Sequence, residues 1–101
     1  MDKWKIPADS NLIEVDNGTS VQLVNEDGSR VVYISILKAE DENHNPVNLP
    51  TDEEEIEVIE VGESFHLRGK KIKGNEALII VITFINQNDE HWARDFFSNI
   101  R

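Results

Sequence analysis

The sequence predicts a mainly β protein, a small antiparallel β-sandwich of about six strands with one short C-terminal helix. Three observations support this. Val and Ile together number 21 against six Leu, and β-branched side chains suit a pleated, half-buried surface better than a helix. Apolar and polar residues alternate in short runs separated by Asn-, Asp- and Gly-rich turns. In the last fifteen residues the apolar spacing changes from two to about four. The same elements also fit an α+β arrangement, a single sheet with the helix on one face.

Residues 12–15 read as a short strand, ended by Asp16-Asn17-Gly18, a turn signal because Asn and Gly tolerate positive φ. Residues 20–24 follow, with Val21 and Leu23 on one face, and residues 25–29 turn again. Residues 30–38 form a long strand. Its two faces, Val32, Ile34, Ile36 and Val31, Tyr33, Ser35, Leu37, both carry enough apolar surface to predict burial on both sides. Residues 39–54 break the pattern with Asn43, Asn45, Pro46, Asn48 and Pro50, leaving only Val47 and Leu49 as anchors. Alternation resumes over residues 55–61 and again over 64–68. Arg68, Lys70, Lys71 and Lys73 then read as an exposed hairpin turn whose charge offsets the acidic residues. Residues 77–85 are almost continuously apolar, as expected of a central strand covered on both faces. Asn88 or Asp89 is the expected helix cap, and Trp92/Phe96 and Ala93/Phe97, with Ile100, mark the buried stripe. Of the aromatics, Tyr33, Trp92, Phe96 and Phe97 are expected in the core.

A chain of 101 residues without an internal repeat or linker is expected to fold as a single domain, residues 1–101. Its net charge of −10 disfavours nucleic acid and anionic membranes as partners, because both are bound through Lys and Arg. The absence of Cys excludes disulfides, thiolate metal sites and a Cys nucleophile. The first seven residues lack the apolar run of a signal peptide, so a cytoplasmic protein is expected.

The strongest functional signal is the placement of acid. Ten of the twenty carboxylates fall within residues 40–63, and no Lys or Arg occurs between Lys38 and Arg68. Such a segment repels itself unless something cationic meets it. Glu40, Asp41, Glu42, Asp52, Glu53, Glu54, Glu55, Glu57 and Glu60 are therefore the candidate partner-binding residues. They are expected to pair with Lys and Arg lining the active cleft of a basic protein, a nuclease above all, with Val47 or Leu49 as apolar anchors. No catalytic residue, metal ligand or cofactor is expected. His44 and His91 each follow two acids, a pattern that chance supplies at this acidity. Asp16-Asn17-Gly18 and residues 25–29 share fragments of a calcium-loop pattern but not its register. No phosphate loop or nucleophile elbow is present.

In its size, acidity, lack of Cys and β-rich pattern, the chain resembles the immunity proteins of bacterial contact-dependent growth inhibition and related polymorphic toxin systems. The resemblance spans the whole chain in profile and carries no shared motif, so no residue role follows from it. It implies a small cytoplasmic protein that binds one cognate toxin domain, often a nuclease, and blocks it. The alternative is a structural or adhesion-type β-sandwich module, in one form calcium-stabilised, whose acids would mark ion sites.

Overall fold

A computed structural model describes residues 4–7, 9, 11–18, 20–49 and 55–101, with only the backbone of Glu55. Among the described residues six strands are present: β1 (Leu12–Asp16), β2 (Ser20–Asn25), β3 (Arg30–Lys38), β4 (Glu55–Val61), β5 (Ser64–Lys73) and β6 (Glu76–Phe84). A 3₁₀ turn (Gln87–Asp89) leads into the helix α1 (Glu90–Ser98). All six strands join in one open antiparallel sheet of order β1-β2-β3-β6-β5-β4. The arrangement is thus the single sheet with a helix on one face, and among the described residues no second sheet forms. The physical reason lies in the connections. Two three-stranded meanders, β1-β2-β3 and β4-β5-β6, each close through short turns, and the loop between them is long enough to bring β6 beside β3. Gly18, Gly28, Gly62 and Gly74 all sit at positive φ in the four turns, where a side chain would be strained.

Strand alternation sorts the sheet into two unlike faces. On one, Val32, Ile34, Leu67, Leu78, Ile80, Ile82 and Phe84 are fully buried. Ala93, Phe96 and Phe97 of α1 lie over them, together with Trp4 and Ile100. The two ends of the chain are tied across this layer: Lys5 N–H donates to the Arg101 carbonyl, and Arg101 N–H returns a bond to Lys5 O at 2.9 Å. Trp4 is 6% exposed and is a core plug, with Lys73 Nζ 4.8 Å from its ring centre.

The helix end differs in detail from the expected cap. Asn86 caps the 3₁₀ turn by accepting from Asn88 N–H. Asp89 makes no capping bond; its carboxylate instead takes both Arg30 Nε and Nη2, at 3.1 and 2.7 Å. The Arg30 guanidinium also lies 4.7 Å from the centre of the Trp92 ring. The start of β3 is thereby clasped to the start of α1.

The basic run is a further difference. Residues 69–73 extend β5 rather than forming a turn, and the reversal falls at Gly74-Asn75. Gly69 permits this because its covered face is occupied by Phe97: a Cβ at Gly69 would overlap the ring and stand 2.9 Å from Cζ. The expectation that β3 and β6 are covered on both faces also fails. Tyr33, expected in the core, is 42% exposed, and Leu37 is 58% exposed, because among the described residues no element packs on the second face. Among the described residues no helix is long and apolar enough to cross a membrane.

Candidate functional site

The acidic segment resolves into three groups. The first is the loop after β3. Ala39 N–H bonds Asn75 O at 2.7 Å, Val47 N–H bonds Ala39 O at 3.0 Å, and Leu49 N–H bonds Gly74 O at 2.9 Å. These bonds lay residues 39–49 across the β5–β6 turn, at the end of the sheet where β4 begins. Within the loop Glu40 and Pro46 form an isolated β-bridge, and residues 40–48 are exposed throughout.

Asp41 holds this loop in shape. Its carboxylate accepts Asn43 N–H at 2.8 Å and Asn45 N–H at 2.9 Å, with Asn45 Nδ2 at 3.3 Å. The backbone bond from Asn45, then that from Asn43, hold its carboxyl below the ordinary 3.8. A depressed folded-state pKa stabilises the turn above the ordinary value and loses that contribution as pH falls through the folded value. Acid titration is therefore expected to expose the Asn43 and Asn45 amides to exchange before the sheet unfolds. Persistence of their protection down to global unfolding would show that Asp41 does not hold the turn. Glu40 and Glu42 have no such structural duty; Glu40 Oε2 lies 3.2 Å from His44 Nδ1, an exposed pair. His44 adopts φ 63°, and is the one described non-glycine residue at positive φ.

The second group, Asp52, Glu53 and Glu54, lies outside the described residues. The third is β4, an edge strand. Its period of two sends Glu57 to the open face and Glu60 to the helix side, both exposed. A run of acid that is continuous in sequence is therefore divided in space. In the register Glu57 stands opposite Arg68, and Glu76 stands between Lys38 and Lys73. Arg68 and Lys70 lie within β5, beside the edge strand that carries Glu57. Lys71 belongs to the other face: it is 7% exposed and donates to Ile100 O at 2.8 Å, with Nζ 4.7 Å from the Phe97 ring centre.

The acids of the calcium-like fragments serve their own turns. Asp16 accepts Gly18 N–H at 2.8 Å and Asp27 accepts Ser29 N–H at 2.9 Å. Hydrogen bonds from Ser29 hold the Asp27 carboxyl below its ordinary value. Among the described residues no three His, Asp or Glu side chains converge on a point where they could hold a metal ion. A shallow recess of about 410 Å³ lies between Ile56, Glu57, Arg68, Gly69, Lys70 and Ile79. Sequence reasoning did not anticipate it, because it depends on the pairing of β4, β5 and β6.

No family model matches the chain, and no curated protein matches it in sequence. Among solved structures it is similar to a crystal structure from Bacteroides thetaiotaomicron VPI-5482 at 15% identity and a TM-score of 0.64. The match covers 97% of this chain and 44% of that one, so the chain spans less than half the length of that protein. At this identity the likeness shows the fold alone.

Proposed function

We propose that the chain is a non-catalytic binding module that neutralises a basic protein, as an immunity protein blocks a cognate toxin nuclease by entering its cationic cleft. The observation that carries this reading is the exposed acidic loop set at the end of a rigid sheet. Residues 39–49 are pinned to the β5–β6 turn by two backbone bonds, and a third, from Val47 to Ala39, closes the loop on itself, so Glu40 and Glu42 are presented on ordered backbone. Little ordering entropy then remains to be lost on binding. Val47, 44% exposed at the loop's surface, is the apolar anchor that a charged rim alone would lack. Glu57 and Glu60 extend the negative field along the edge strand, which steers a cation-lined cleft more than it sets final affinity.

The test begins with capture of the partner on the immobilised chain and its identification by mass spectrometry. The Glu40→Lys, Glu42→Lys, Glu57→Lys, Glu60→Lys variant is then compared with the wild type in association kinetics. Its on-rate is expected to fall by roughly ten-fold or more at low salt, with a flatter salt dependence. Undiminished association would show that the acid is not the binding surface.

A further inference from the structure

Among the described residues nothing packs on the second face of the sheet, which exposes several apolar side chains. Among the described residues, eight large hydrophobic side chains stand exposed, and five of them stand at strand positions on this face: Ile13, Val15, Tyr33, Leu37 and Val61. Half-buried Val31, Ile79 and Val81 lie among them. Patches of this kind on soluble domains mark docking surfaces.

Its charge is equally distinctive. On a chain of net charge −10, Glu57 is the one carboxylate among the described side chains of the strands on this face, and it stands opposite Arg68, next to Lys70. The face is therefore close to neutral, and it is where two copies of so acidic a chain repel each other least. A cationic partner would be drawn to the acidic end of the sheet instead. Depletion of charge around an apolar centre with a Tyr is the composition of an interface core.

We infer that this face is covered by the same face of a second copy, giving a homodimer in which two six-stranded sheets stack as a sandwich. Aligned sheets pack about 10 Å apart with interdigitating side chains. Symmetry places identical patches against each other, with Tyr33 of central strand β3 among the anchors. The acidic loop remains outside the contact, so the dimer is independent of the function proposed above.

Sedimentation velocity on the isolated chain, from low micromolar to millimolar concentration, tests this. A mass near twice 11.6 kDa is expected at the higher concentrations, with association strengthened by salt, since salt screens self-repulsion. Binding of a basic partner would instead be weakened by salt, which keeps the two proposals apart. Tyr33→Glu and, separately, Leu37→Glu are expected to give monomers with unchanged circular dichroism, and Val47→Glu on the loop to remain dimeric. A monomer at every concentration and salt would overturn the inference, as would a dimer that survives both glutamates. Protection of Tyr33 and Leu37 only when a basic partner is added would assign the face to that partner and overturn it equally.

Discussion

Gly69→Ala is expected to destabilise the protein by about 1–3 kcal/mol, the usual cost of forcing extra volume into a packed site. The expectation runs against intrinsic preference, since Ala in a strand should be favoured over Gly by roughly 0.5–1 kcal/mol. What reverses the sign is Phe97, whose ring lies where the new methyl would go. Phe97 is itself 3% exposed, so Phe97→Ala should cost about 3–5 kcal/mol. The informative measurement is the double-mutant cycle by urea denaturation. With Phe97→Leu in place the ring is gone, and Gly69→Ala should become neutral or stabilising. A Gly69→Ala cost that persists unchanged in that background would mean the helix does not seat on Gly69 as described.

Arg30→Ala should cost about 2–3 kcal/mol. It removes two charge-assisted hydrogen bonds at roughly 1.5–3 kcal/mol for such contacts and a ring contact of about 0.5–1 kcal/mol. It also strands Asp89, whose side chain is 18% exposed. The guanidinium is 31% exposed, which keeps the loss below the ~3–5 kcal/mol of a fully buried pair. Arg30→Lys should recover little, since a single ammonium cannot span both carboxylate oxygens and stack on Trp92. For a domain of this size the alanine variant should melt roughly 10–20 °C lower. A loss within ~0.5 kcal/mol, typical of surface changes, would mean that the clasp contributes nothing.

These two contacts also mark where sequence reading succeeds and stops. Period-two alternation located the first five strands, a nearly continuous apolar run located β6, and the four-residue spacing of Trp92/Phe96 and Ala93/Phe97 located the helix, because all three signals are local. Strand partnership is not local. β3 meets β6 across a loop of irregular composition, and nothing in either strand's pattern says whether the other sheet face is covered. Apolar residues on both sides of β3 therefore implied burial on both sides, and Tyr33 was placed in the core. Gly69 through Lys73 had the composition of a turn, but Phe97 takes the space beside Gly69 and the strand continues. Period two already sends Glu57 and Glu60 to opposite faces of β4, and the register keeps them there. Asp41 looked like its acidic neighbours until its bonds to Asn43 and Asn45 set it apart. The recess beside Arg68 had no sequence signal at all.

The order of strands has a consequence for how the chain assembles. Each meander can form from neighbouring hairpins, but the β3–β6 seam at the middle of the sheet joins residues some forty or more positions apart. The centre of the molecule is therefore its least local part, and closing it is expected to limit the folding rate. The seam also divides the chain near the exposed loop at residues 42–48. Cleavage there would leave two three-stranded fragments, one carrying β1–β3 and the other β4–β6 with the helix. Their recombination through nine register pairs along the seam would make this small sheet a split protein that reassembles from its halves.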